Sequence, residues 1–208
     1  MYKHYNILFF LGLSIFIIAA FFSIGYYHAD EHFQIIEFAG IKSGFTTPSY
    51  LPWEYHSQLR SAIQPSIAYL IIETCKSLSI INPYHQVTVL KIISAIFACF
   101  SIRYFVNSTY HLVPKSKLIY TLTSYFLWII PAVSLRFSSE TWGGIFTLLS
   151  LAFIQDQYLN KKNYSIGFFI TLGLLFGFAF LFRFQMIFIA FGAICWLIFY
   201  KKEHIKSL

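Results

Sequence analysis

Charge is scarce in this chain of 208 residues: Asp, Glu, Lys and Arg together make up 11% of it, where ordinary soluble domains carry roughly 25%. A soluble globule needs polar side chains to cover its surface, and this composition leaves too few. A water-soluble fold is therefore excluded, and lipid must serve as part of the solvent. Acids are the scarcer sign, 8 Asp and Glu against 15 Lys and Arg, for a formal charge of +7. In a soluble protein that surplus would point to nucleic acid. Here the cations fall between apolar runs, where they set membrane topology, and no nucleic-acid partner is expected. Cysteine is rare too. Cys75, Cys99 and Cys195 are isolated and each is embedded in a hydrophobic segment, with no CxxC or Cys/His spacing. They read as small core residues and not as disulfides or metal ligands. Internal repeats, low-complexity tracts and runs of like charge are also missing.

What is present is apolar mass. Hydrophobic residues make up 58% of the chain, with 25 Phe, 15 Tyr and 4 Trp. A span needs about 20 mostly apolar residues to cross about 30 Å of hydrocarbon. Six segments qualify: 6–27, 86–106, 118–135, 142–158, 164–182 and 185–200. The first has a basic start at Lys3 but no small-residue cleavage site, so it is expected to stay as an anchor. A seventh run, 65–81, is short and interrupted by Glu73 and Lys76, and reads as an amphipathic helix at the interface. Charge bias supports that reading. With 65–81 on the surface, one side of the membrane holds Lys3, Arg103, Lys115, Lys117, Lys161, Lys162, Lys201, Lys202 and Lys206 against only Asp156 and Glu203. The other side then balances six cations with six acids. Both termini are expected in the cytoplasm, in a single membrane domain over 1–208 with one large outer loop, 28–64.

Six of the eight acids lie on that outer face, so any chemistry is expected there. The first cluster is His28-Ala29-Asp30-Glu31-His32, followed by Gln34 and Glu37. Two adjacent carboxylates at a membrane boundary are costly to desolvate, which suits one of them to proton abstraction; the alternative is that they only solvate a helix end. His28 and His32 are four residues apart, but a third metal ligand is not clearly placed and no metal is expected. The second cluster is Trp53-Glu54-Tyr55-His56 with Arg60-Ser61 and Pro65. Its arginine is placed to hold a phosphate at the headgroup plane, or its aromatics serve only as interfacial anchors. The third is Arg136-Phe137-Ser138-Ser139-Glu140-Thr141-Trp142, in which Arg136 and Glu140 are placed to pair with each other. The fourth is Arg183-Phe184-Gln185. Within the spans polar residues are few, apart from Lys91 and scattered Ser and Thr, which argues against a transport pathway.

These residues, in this order and with similar gaps, resemble glycosyltransferase family 22, the Alg9-like mannosyltransferases that use polyprenyl-phosphate-mannose. The family pattern is His-Pro-Asp-Glu followed by an aromatic and Gln, then Trp-Glu-aromatic with Arg-Ser and Pro, then Glu-Thr after a span. Ala29 stands where the family usually has proline. The resemblance implies an all-α integral membrane protein of the GT-C type, a polytopic bundle of about six transmembrane helices with surface helices in the first outer loop. It implies inverting transfer of mannose from the lipid-phosphate donor to a glycolipid or glycan acceptor, with no cofactor. Asp30 is then the expected base and Glu31 the alternative. Arg60 or Arg183 is expected to face the leaving phosphate. Trp53, Glu54 and Tyr55 are expected to line the sugar and acceptor groove, with His28, Gln34, Glu140 and Gln185 as further substrate contacts. The membrane is that of the endoplasmic reticulum in a eukaryote, or the inner membrane in a bacterium. The matched region corresponds to the N-terminal half of such an enzyme, so a partner carrying the other half is a second expectation. The competing readings are an inactive or split-enzyme fragment, a non-catalytic membrane subunit and a transporter.

Overall fold

A computed structural model describes residues 2–26, 28–58, 60–159 and 164–205; these form helices joined by turns and loops, with no strand among the described residues. Tyr27 at the end of the first expected span, and Lys161, Lys162 and Lys206 of the charge count, lie outside them. The chain runs through α1 (Tyr2–Phe22), α2 (Ala29–Glu31), a π-helical stretch (His32–Ile36), α3 (Glu37–Lys42), α4 (Trp53–His56) and α5 (Ile63–Ser77). It continues through α6 (Pro83–Thr109), α7 (Lys117–Phe126), α8 (Ile129–Ser134), α9 (Ser139–Leu159), α10 (Ile166–Phe182) and α11 (Ile187–Ile205).

Among the described residues two helices, over Tyr5–Phe22 and Pro83–Leu112, are long and apolar enough to cross a membrane; Ile166–Phe182 and Phe184–Phe199 form shorter apolar helices. α6 is set going by Asn82, whose side chain accepts a hydrogen bond from the Tyr84 N–H, with Pro83 behind it in the first helical position. It packs between α1 and α9. Their contact is built on small residues, Ala20 of α1 and Ala95, Ala98 and Cys99 of α6, which lets the backbones approach closely around Phe9 and Phe16. Cys75 and Cys99 are buried and, like Cys195, free thiols.

The third expected span, 118–135, is not one helix. It breaks between α7 and α8 at Leu127, whose backbone turns extended at φ −62°, ψ 119°. The physical cause is Pro131: its ring would collide with the carbonyl of the residue four before it, which is Leu127, so the helix has to restart. The run 65–81, expected to lie at the interface, is helical up to Ser77 as part of α5. Gln64, Pro65, Ala68, Ile72 and Cys75 make its buried face at helical spacing, while Leu70 is exposed.

A second core holds the loop helices onto the bundle. Ile35 and Ala39 from 28–64, Ala68 of α5, Leu90 of α6, Phe137, Trp142 of α9 and Phe182 of α10 form it. Trp142 is its centre. Its ring lies edge-on to Phe137 and Phe97, and its indole N–H donates to Ser94 Oγ at 2.9 Å, so the aromatic is buried without an orphaned donor. Truncating it to alanine should cost about 3–5 kcal/mol, and Trp142→Phe, which keeps the ring contacts and loses the hydrogen bond, about 1 kcal/mol. Thermal unfolding midpoints in detergent will show that order, and equal losses would refute the centre assigned to Trp142.

Candidate active site

The acid pair is delivered by a pinned connection. After α1 the chain turns at Gly25, with φ +70°, a conformation that glycine adopts without a Cβ penalty. The Lys91 ammonium, from α6, donates to Ser23 O at 3.0 Å, to Ser23 Oγ at 3.1 Å and to Gly25 O. His28 then caps α2 by accepting the Asp30 N–H on its Nδ1 at 3.3 Å. Successive residues on a helix point about 100° apart, so the two adjacent carboxylates must face different ways. Glu31 turns inward and its side chain is 9% exposed, whereas Asp30 turns outward and is 32% exposed.

Their partners come from far along the chain. Glu31 Oε1 lies 2.8 Å from Arg136 Nε. Asp30 Oδ2 lies 3.9 Å from Arg60 Nη2, and Arg60 is held more firmly by Glu54, to which its Nε and Nη2 donate at 3.3 Å each. Arg136 and Glu140, placed by spacing to pair with each other, both reach across the fold: Arg136 to Glu31, and Glu140 to Arg183 at 2.6 Å. Three long-range ion pairs thus join all four sequence clusters. The last depends on Gly143, one turn after Glu140. A Cβ there would sit 3.1 Å from Arg183 Cβ and 3.4 Å from the Ala179 carbonyl, so glycine lets α9 press against the end of α10.

The remaining candidates divide. Tyr55 packs edge-on against Phe38 and lines a cavity of about 260 Å³ with Lys42, Glu54, Arg60 and Ser66. Gln34 has a buried side-chain oxygen with no hydrogen-bond donor among the described residues. His28 sits 3.5 Å from Asp30, but His32 goes elsewhere, to Glu37 at 3.0 Å and into a stack with Tyr26. The two histidines therefore serve different carboxylates. Trp53 is 66% exposed, and Gln185 is exposed on the turn after Arg183. A cavity of about 370 Å³ between α6, α8 and α9 carries Arg136 and Glu140 among apolar walls such as Ile102, Ile130 and Leu148. Spacing did not point to Phe38, Lys42 or Ser23. Only Lys91 gave a signal, as a lone ammonium in an apolar run.

A family model described as the Alg9-like mannosyltransferase family matches residues 7–208. No curated protein and no solved structure matches the chain.

Two predictions follow from the pairings. Glu31→Gln removes the charge of a carboxylate that is 9% exposed and paired with Arg136 and should cost about 3 kcal/mol or more, whereas Glu140→Gln, at a carboxylate that is 47% exposed, should cost about 1 kcal/mol or less. Chemical denaturation in micelles will rank them, and an inverted order would reject the burial argument. The loop is also tied to α5 through Glu73, which accepts from Lys76 Nζ at 2.6 Å and Ser43 Oγ at 2.9 Å; these bonds hold its carboxyl below the ordinary value of 4.5. A depressed carboxylate stabilises the fold above its unfolded value, and that contribution is lost as pH falls through the lower folded one. Amide protection factors at Ser43–Thr46, corrected for the intrinsic exchange rate, should therefore fall on acidification below pH 4.5, and Glu73→Gln should remove that dependence.

Proposed function

Because the chain belongs to the Alg9-like mannosyltransferase family, we propose that it is an inverting mannosyltransferase, moving mannose from polyprenyl-phosphate-mannose to a glycolipid or glycan acceptor at the lumenal or periplasmic face. The observation that carries this reading is the joining of four separate clusters by ion pairs, with one carboxylate of the acid pair locked inward and the other open to solvent. Asp30 suits the base. It accepts the proton of the acceptor hydroxyl while that oxygen bonds to the anomeric carbon. The bond from the same carbon to the phosphate oxygen breaks, the electron pair leaves on the phosphate, and the configuration inverts. Glu31, committed to Arg136, orders the site instead.

Arg60 and Arg183 are the guanidinium groups assigned to the donor phosphate, and each would exchange a carboxylate for it. Tyr55 and Glu54, with Phe38 behind them, line the wall for the sugar and acceptor. Trp53, exposed beside this wall, anchors it in the interface. The buried oxygen of Gln34 is ready to accept from a substrate hydroxyl, with His28, Glu140 and Gln185 as outlying contacts. The protein is a multi-pass membrane protein, of the endoplasmic reticulum in a eukaryote or of the inner membrane in a bacterium, with lipid around α1, α6 and the shorter apolar helices.

A second reading is favoured by α11 and the turn before it, where Phe184, Phe188 and Phe191 are 63%, 74% and 68% exposed. Such a row suits further apolar helices as well as lipid, and a separately encoded C-terminal half would supply them. Consumption of radiolabelled polyprenyl-phosphate-mannose only when that half is co-expressed would establish this reading over the chain acting alone. In whichever assembly is active, Asp30→Asn should lower transfer by about 10²–10⁴-fold, the usual contribution of a general base. Undiminished transfer by a correctly folded variant would remove Asp30 from the role.

A further inference from the structure

His28 meets Asp30 through a single atom. Its Nδ1 accepts the Asp30 backbone N–H at 3.3 Å, which makes His28 the N-cap of α2, and the same nitrogen stands 3.5 Å from Asp30 Oδ1. One nitrogen therefore faces both a donor and an acceptor of the same residue. In neutral imidazole one ring nitrogen carries the proton and the other a lone pair, whereas both carry protons in the imidazolium. The cap needs the lone pair on Nδ1, so the neutral ring holds its proton on Nε2 and has nothing to give the carboxylate. Protonation reverses both contacts. Nδ1–H can no longer accept the Asp30 N–H, and it becomes a charged donor facing Oδ1.

The surroundings leave this exchange to the two residues. The His28 side chain is 66% exposed and takes its proton directly from water. Arg60, from the segment before α5, lies 3.9 Å from the other oxygen of Asp30, Oδ2, and is itself held by Glu54. Glu31 is turned inward to Arg136, and His32 is paired with Glu37 and stacked on Tyr26. Oδ1 is thus the oxygen of Asp30 without a guanidinium on it among the described residues, and the charges of Asp30, Glu54 and Arg60 sum to minus one. A proton on His28 brings that sum to zero and covers Oδ1.

We propose that His28 is a positioning residue with two states: neutral, it caps α2 and leaves Asp30 Oδ1 open to the acceptor hydroxyl; protonated, it closes on Oδ1 and withdraws the base. The role rests on the transferase reading and deepens it, because the acceptor step then depends on pH over the interval in which imidazole changes charge, about pH 8 to 5. An imidazolium this exposed holds a carboxylate weakly, so the loss is graded, about two- to fivefold.

The test follows kcat/KM for the acceptor across that interval in the assembly that carries out transfer, with His28→Asn and His28→Ser beside the wild type. Asn and Ser are strong N-cap residues whose side-chain oxygens accept the same N–H and do not titrate. Wild-type kcat/KM should fall on acidification by about two- to fivefold more than in either variant, through the acceptor KM and not the donor KM. An equal fall in wild type and folded variants overturns the role. Spectra of the full chain in nanodiscs, with nitrogen-15 in its histidines, give a second readout that needs no turnover, the His28 signal being the one that His28→Asn removes. At the alkaline end of the range it should report a bare Nδ1 and a protonated Nε2, giving way to imidazolium as pH falls. A neutral ring with its proton on Nδ1 overturns the two states whatever the kinetics show. The two readings therefore fail separately: an Nδ1–H tautomer in an active enzyme removes the His28 role and keeps the transferase, whereas a wild type that transfers no mannose in any assembly removes the transferase and leaves the tautomer to decide the contact.

Discussion

A charged group in an apolar fold has to meet its opposite, and in this chain that requirement fastens distant segments together. Leaving one member of a buried pair alone costs more than most packing defects, so the position of each charge is as constrained as that of a core aromatic. Glu31 draws the turn before α9 toward α2, Arg60 draws the segment before α5 toward Asp30, and Glu140 draws the end of α10 toward the start of α9. Lys91 does the same without a carboxylate, using the carbonyls of Ser23 and Gly25. With so few charges available, nearly every one on this face of the fold is committed to a partner.

Apolar packing makes those pairings affordable. The core around Trp142 gathers side chains from the loop helices, α5, α6, α9 and α10, directly beside the charged cluster. Ion pairs of moderate exposure contribute little on their own, so the aromatic layer holds the elements in place and the charges fix their register. Gly143 is where the two meet: a larger residue there would push α10 outward and carry Arg183 away from Glu140.

Much of this was readable in the residues, and the rest was not for identifiable reasons. Apolar runs located the long helices, since a run that cannot face water must be buried or in lipid; Glu73 and Lys76 marked the run 65–81 as amphipathic, and the structure buries Gln64, Ala68, Ile72 and Cys75 on one face of α5. The break at Leu127 was available from Pro131 but was masked by the apolar run around it. The acid pair, the Trp-Glu-Tyr stretch and the arginines stood out as polar groups in an apolar chain. What spacing could not supply was partner identity. Arg136 and Glu140 are ideally separated for a local helical pair, yet α9 begins only at Ser139, so Arg136 lies outside it and is free to turn toward Glu31. Nor could two adjacent acids be ranked until the helical rotation between them was fixed, with one inside and one out. Phe38 and Lys42 lacked any signal because an aromatic and a lysine on a surface helix are ordinary.

The charges are also unevenly divided, and that division bears on how the proposed transfer would run. Asp30, Glu54 and Arg60 form a group with one excess negative charge; Glu31, Arg136 and Lys91 form one with an excess positive charge. The peptide link between Asp30 and Glu31 joins the two groups. Arg60 is bound bidentately by Glu54 and lies 3.9 Å from Asp30, so its charge is largely spent before it reaches that carboxylate. On the other side the field is of the opposite sign. In the proposed transfer, proton removal and the growth of negative charge on the phosphate would each find the polarity they need beside adjacent residues of one three-residue helix.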